Sequence, residues 1–290
     1  MHLKPDWEMW LHNYKKQEIE HVFESCCGKF FQNSLELGAG GGYQSNFLAE
    51  FTERLVSTDI NEKILTKKSA GNIEYRICRA EEAPDIFPQK SFDMIFSSNL
   101  LEHVNDPVQV LEGIYKLLKD DGIIINIMPS PFWKLCHVAL YVPANCIAAA
   151  EFVLRKKGSL NRLRETRYLL KEFLRGLATG TNDMMNVAYE HEISSGNNRD
   201  KSVEKPSFVK GLFFPRPHGI SESNIAEFMA FGKKRWQDIL KRAGFTCIDV
   251  KKGPLASGYG LGWSSAGNLA EIMGFTSEYI YMSIKNDSAS

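Results

Sequence analysis

Three observations predict an α/β fold: a mostly parallel seven-stranded sheet with helices on both faces and a mainly helical insertion after strand five. Short apolar runs alternate with helix-like stretches from residue 34 to residue 128, the rhythm of β-α-β units around a parallel sheet. One run, Ile123-Ile124-Ile125-Asn126-Ile127-Met128, is apolar on both faces of a strand, as a central strand covered by helices on each side requires. The rhythm breaks after Met128 and resumes at Glu222.

The elements follow in order. Asp6–Cys26 reads as a helix with Trp7, Trp10, Leu11, Tyr14 and Val22 available for packing. Ser34–Leu37, Leu55–Asp59, Ile73–Cys78, Phe92–Ser98 and Gly122–Met128 are the first five strands. Tyr43–Phe51 and Pro107–Leu118 carry apolar residues at helical spacing, the second as a stripe of Val108, Leu111, Ile114 and Leu118. Asp106 supplies an N-cap before a favourable first-turn proline, and Gly122 ends the connection into strand five. Prolines 129, 131 and 143 and a polar Gly/Asn stretch at 194–205 then mark an insertion. A helix over Glu222–Ala243 follows, with Ile225, Phe228, Met229, Trp236, Ile239 and Leu240 recurring at three and four. Phe245–Val250 and Tyr279–Ile284 complete the seven strands, separated by the Gly-rich 253–274. The expected organisation is a core of 1–130 and 219–290 with an inserted helical cap at 131–218.

The 35 Lys and Arg balance 35 Asp and Glu, so no global field draws the chain onto a nucleic-acid backbone, and nucleic acid is not an expected partner. Six cysteines show no C-x-x-C pair, and Met1–Trp10 carries no apolar signal segment. The expectation is a cytoplasmic protein with free thiols. The vicinal Cys26-Cys27 has no expected role beyond packing.

Strand one runs into Glu36-Leu37-Gly38-Ala39-Gly40-Gly41-Gly42, and a helix begins directly after it. Glycines let the backbone turn sharply and let a ligand approach main-chain amides. Asp59, 17 residues after Gly42, ends strand two, where a carboxylate can accept both hydroxyls of a ribose. This pair alone suits a dinucleotide as well. The wider set adds Asp59-Ile60, Ala80-Glu81-Glu82-Ala83-Pro84 after strand three, Phe92 to Val104 with Ser97-Ser98-Asn99-Leu100-Leu101-Glu102-His103, and Leu117-Leu118-Lys119-Asp120-Asp121-Gly122. Taken together these resemble the class I S-adenosylmethionine-dependent methyltransferases, closest to the small-molecule branch that includes quinone-biosynthesis enzymes. The strand-four motif has no role in a dinucleotide oxidoreductase.

That resemblance implies a Rossmann-like core and S-adenosyl-L-methionine as cofactor. It implies that Gly38, Ala39, Gly40 and Gly42 form the loop under the methionine part, with Glu36 holding its ammonium through water or the loop. By the same resemblance Asp59 binds the ribose and Ile60 packs on the adenine. Ala80 and Glu81 contact the adenine edge, and Ser97 and Asn99 lie near the sulfonium. The family often has Asp just before the Ala-Glu pair, and here Arg79 stands there; arginine cannot accept a hydrogen bond, so the adenine contact falls to backbone or Glu81.

Methyl transfer from a sulfonium is an in-line displacement driven by alignment in a water-poor pocket. A base is needed only where the nucleophile carries a proton that must leave. His103, after strand four, and His218, in the stiff turn Phe214-Pro215-Arg216-Pro217-His218-Gly219, are the candidates; each can also simply shape the site. His191, beside Glu190 and Glu192, reads as a solvated face. No metal is expected, because no His, Cys and carboxylate set has metal-ligand spacing. The Gly-rich 253–267 with Tyr259 and Trp263 is either a substrate lid or a plain connection.

Within the insertion, Phe132–Leu154 contains only Lys134 and Glu151 as charges and is divided by Pro143 and Asn145, so it reads as an apolar hairpin rather than a membrane span. Residues 151–175 then hold eight basic against three acidic residues, with Leu160, Leu163, Leu170, Phe173, Leu174 and Leu177 mostly on one helical face. This suits contact between 132–175 and an anionic membrane surface, or a pocket cap or homodimer face. The expected function is methyl transfer, at oxygen, to a small-molecule or lipid-linked acceptor such as a glycan intermediate. The alternatives are carbon methylation of a quinone precursor and a non-catalytic cofactor-binding scaffold.

Overall fold

The computed structural model describes residues 7–25, 29–62, 65, 71–155, 215, 217–218, 220–255 and 273–286. Helix α1 (Trp7–Ser25) is followed by β1 (Phe31–Leu37), α2 (Tyr43–Leu48), β2 (Thr52–Asp59), β3 (Ile73–Ile77), α3 (Ala83–Ile86) and β4 (Phe92–Ser98). Then come α4 (Pro107–Leu117), β5 (Leu118–Pro129), α5 (Pro131–Arg155), α6 (Asn224–Ala230), α7 (Lys233–Arg242), β6 (Phe245–Lys252) and β7 (Glu278–Lys285). The strands form one seven-stranded sheet in the order β3-β2-β1-β4-β5-β7-β6. β1 to β5 pair in parallel, and β7 runs antiparallel to both β5 and β6.

The strand order reverses between β1 and β4, so their connections leave in opposite directions. Open α/β sheets bind ligands in the crevice beyond the carboxyl ends of the strands at such a reversal. Two apolar layers hold the sheet from either side. On one face Leu35, Ile95, Ile124 and Tyr281 pack against Leu111 and Ile114 of α4 and Trp236 and Leu240 of α7. On the other, Leu55, Phe96, Ile125 and Met282 pack against Ile19, Val22 and Phe23 of α1 and Leu48 of α2. Burying each such side chain contributes about 1.5–3 kcal/mol. Asp106 caps α4 as its sequence implies, its carboxylate accepting from the Val108 and Gln109 amides at 3.0 and 3.1 Å.

The structure corrects the sequence reading in three places. β5 begins at Leu118, because the Lys119–Gly122 stretch remains in the sheet through a register shift opposite β4. Gly122 is needed there for packing, since a Cβ would meet Leu118 Cδ1 at 2.8 Å and the Asp93 carbonyl at 3.1 Å. The expected apolar hairpin is a single helix, α5, with Pro143 inside it; one interior proline removes one hydrogen bond and bends a helix without always ending it. The expected helix over Glu222–Ala243 is two, broken at Phe231-Gly232. Of its apolar stripe only the α7 half, Trp236, Ile239 and Leu240, is buried, while Ile225, Phe228 and Met229 face outward.

Of the sequence-predicted insertion, residues 156–214 lie outside the described residues, and with them the basic stretch beyond Arg155 and His191. Cys26-Cys27, Tyr259 and Trp263 also lie outside. Among the described residues Cys78, Cys136 and Cys247 are free thiols, and no helix is long and apolar enough to cross a membrane.

Candidate active site

The loop after β1 is shaped by backbone conformations that glycine adopts without strain. Gly38, Gly40 and Gly42 have φ of 74°, 53° and 71°. At Gly38 a side chain would be strained by φ and would also meet Leu100 Cδ1 at 2.9 Å. The Gly38 and Ala39 amides both donate to the Thr58 carbonyl at 2.9 Å, and the Gly40 amide donates to Asp59 Oδ2 at 2.7 Å. Asp59 Oδ1 accepts the Asn61 amide at 2.8 Å. The carboxylate is thus fixed at the end of β2 with lone pairs remaining on both oxygens. Beside it Ile60 is 63% exposed, an apolar face open where a flat heterocycle can lie. Ala80 is buried and Glu81 exposed at the next strand end, with Arg79 exposed before them.

Glu36 is buried rather than open to a ligand. Its Oε2 accepts from the Ser45 and Ser57 hydroxyls, each at 2.6 Å, which ties β1 to β2 and α2. Burial raises its carboxyl above the ordinary range, and the two serines oppose that shift. Ser97 is also internal, donating to Asn126 Oδ1 at 2.8 Å. Asn126 was not among the sequence candidates; its amide nitrogen is buried without a partner among the described residues. Asn99 lies at the crevice with φ of 51° and its amide bonded to the Ile127 carbonyl. Asparagine tolerates the left-handed region, and such conformations gather at functional sites.

The two candidate histidines, far apart in sequence, meet. The rings of His103 and His218 are edge to face with centroids 4.7 Å apart, and Trp133 of α5 lies 5.6 Å from His218. The crowding of protein around it holds the His103 imidazole below the ordinary histidine range. His218, although exposed on one side, is held well below it by the protein atoms crowded around its ring and by the nearby His103 and Lys134. Glu102 completes the cluster, its Oε1 3.9 Å from His103 Nε2. Its carboxyl is buried with neither oxygen hydrogen-bonded among the described residues, and burial pushes it up to about 8. Glu102, His103 and His218 each bring one ligand-type atom within 4.8 Å of the others, a spacing that one small cation can bridge. Local sequence spacing gave no sign of this group, because His218 stands far along the chain from Glu102 and His103.

Helix α1 closes over the same strand ends. Lys15 donates to Glu18 at 2.8 Å and to Ser98 Oγ at 3.1 Å, and Gln44 of α2 donates to Glu18 at 2.6 Å. Glu278, at the start of β7 beside Pro129, is held well above the carboxylate range by burial and by the charge of Glu18. Glu278 therefore favours its protonated form. Farther along, Lys134 of α5 and Glu227 of α6 form a buried ion pair. Lys134 interrupts an apolar run in the sequence, which is the one local signal of that pair. A shallow hollow of about 650 Å³ lined by Gln32, Asn33, Arg54 and Glu74 lies at the opposite end of the strands and holds no motif residue.

The model of a family described as a methyltransferase domain matches residues 35–126, from β1 through β5. The chain carries a methyltransferase domain. The match covers every cofactor-loop candidate and His103. This methyltransferase domain is similar to the mitochondrial arginine-hydroxylase NDUFAF5 of Rattus norvegicus, 32% identical over 122 residues, 40% of this chain and 35% of that protein. It is similar to the ubiquinone biosynthesis O-methyltransferase of Aliivibrio fischeri, 27% identical over 118 residues, 39% of this chain and 50% of that one. The chain therefore spans between about a third and half of the length of these relatives. Among solved structures, the 1,6-didemethyltoxoflavin-N1-methyltransferase of Burkholderia thailandensis is 14% identical with a TM-score of 0.49, over 96% of this chain and 81% of that one.

Proposed function

We propose that this chain is an S-adenosyl-L-methionine-dependent methyltransferase that methylates a hydroxyl oxygen of a small-molecule or lipid-linked acceptor. The observation that carries the reading is the meeting of His103 and His218 beside Glu102, with His103 just after β4, the sheet neighbour of the strand β1 that leads into the glycine loop. The name O-methyltransferase on one set of relatives supports oxygen. The cofactor fits the residues present: a loop of left-handed glycines, a fixed Asp59 carboxylate for ribose hydroxyls and an exposed Ile60 beside it.

When bound, the cofactor supplies an electrophilic methyl on a positively charged sulfur. The chain's own part is to hold the acceptor in line in a water-poor crevice and to take its proton. Being neutral at pH 7, His103 has a lone pair for that proton. The imidazolium so formed is 3.9 Å from Glu102 Oε1 and passes the proton to solvent from the exposed side of the His103 ring. His218 and Trp133 pack the outer side of the ring pair.

With labelled methyl donor and lipid and aqueous cell fractions as acceptors, His103→Gln is expected to lower kcat about 100-fold without changing cofactor affinity. The wild-type rate should stay level through pH 7 and fall only as pH drops below 6.5, because the lowered His103 pKa keeps the base neutral until then. A rate unaffected by the substitution removes the base and favours an acidic nucleophile such as the carbon of a quinone precursor. Loss of activity on chelation assigns the cluster to a cation instead. Cofactor binding without turnover on any fraction supports the scaffold alternative.

A further inference from the structure

Two neighbouring helices beside the histidine cluster carry their polarity reversed. α6 turns Glu227 inward, where it pairs with Lys134, and turns Ile225, Phe228 and Met229 outward. Ile225 and Met229 are 79% and 68% exposed. The first turns of α5 do the same, burying Lys134 and His137 while Leu135 is 57% exposed and Ala139 faces out. Ile220, just before α6, adds another exposed apolar side chain. A surface helix in water shows the opposite arrangement, and contiguous exposed apolar area marks a binding surface. The ion pair fixes this orientation, because turning α6 over would separate Lys134 from Glu227.

Charge identifies what covers the surface. Lys233, Lys234 and Arg235 follow α6 directly and are exposed. The Arg235 guanidinium donates to the Ala230 carbonyl at 2.8 Å, so the basic group sits at the end of the apolar helix. Lys241 and Arg242 continue the exposed side of α7, against Glu222 and Asp238 as the exposed acids of 220–242. An apolar helical face bordered by lysine and arginine is what lies in the headgroup region of an anionic bilayer. No described helix is long and apolar enough to span one.

We propose that the outward face of α6 with Leu135 and the basic start of α7 form a docking surface for an anionic lipid bilayer. Trp133 packs against both His218 and Phe231, so this surface and the histidine cluster share a wall, and an acceptor held in lipid would reach the crevice from that side. The docking itself does not depend on the chemistry assigned to the cluster.

The test is co-sedimentation of the full chain with phosphatidylcholine vesicles, with and without phosphatidylserine, at low and high salt. Binding is expected only with phosphatidylserine and is expected to weaken with salt. Ile225→Asp with Met229→Asp should weaken it at least tenfold, and Lys233→Glu with Lys234→Glu should do so mainly at low salt. Both variants should keep the wild-type melting temperature and S-adenosylhomocysteine affinity, which separates this outcome from failure of the methyltransferase reading. Vesicle binding that is absent, or unchanged by these substitutions, overturns the proposal. So does a dimer in analytical ultracentrifugation that the Ile225→Asp, Met229→Asp variant dissociates without any vesicle binding, since the face would then belong to a second copy.

Discussion

Lys134→Met is expected to destabilise the chain by about 3–5 kcal/mol, the cost of leaving one partner of a buried ion pair without the other. Both side chains are almost fully buried, so water cannot take the place of the lost cation. For a chain of this size that corresponds to a fall of about 5–8 °C in melting temperature. The deficit should depend on pH with a definite sign. Burial already raises the Glu227 carboxyl, and removing Lys134 raises it further. The variant folds best where Glu227 is protonated, and its deficit grows as pH rises above the ordinary carboxylate value. Lys134→Met with Glu227→Leu should recover most of the loss, because an apolar pair needs no compensation. Equal melting temperatures for wild type and the single variant across pH 5 to 8 would remove the ion pair from the account.

Asp59→Ala is expected to weaken S-adenosylhomocysteine binding about 100-fold. Hydrogen bonds to a charged group contribute about 1.5–3 kcal/mol each, and a ribose offers two hydroxyls to this carboxylate. The same substitution removes the acceptor that holds the Gly40 amide at 2.7 Å, so the loop loses its anchor as well. Asp59→Asn keeps a side-chain oxygen for Gly40 and should retain an intermediate affinity. Calorimetric titration of the three proteins measures the series; an unchanged Asp59→Ala affinity would place the ribose elsewhere.

The parallel core was legible because its signals are local. The apolar run Ile123–Met128, the Asp106-Pro107 helix start and the glycines at 38, 40 and 42 each follow from backbone sterics or one side chain's capping bond. The loop candidates and His103 fall inside the matched methyltransferase domain. What the sequence concealed depends on pairings across long separations. Periodicity put Ile225, Phe228 and Met229 on one apolar stripe with Trp236 and Leu240, yet Glu227 is drawn inward by Lys134, roughly 90 residues earlier, and a buried ion pair overrides the stripe. Glu36 and Ser97 sit at motif positions, but their hydroxyl and amide partners, Ser45, Ser57 and Asn126, come from three other elements. The Glu102, His103 and His218 cluster likewise joins residues far apart in the chain, which no spacing rule anticipates.

The central claim, that the crevice between β1 and β4 holds S-adenosyl-L-methionine, is tested most directly by calorimetric titration of the full chain with S-adenosylhomocysteine and, in parallel, with NADH. The account predicts micromolar binding of S-adenosylhomocysteine at one site per chain and no heat from NADH; binding of NADH in place of S-adenosylhomocysteine would contradict it.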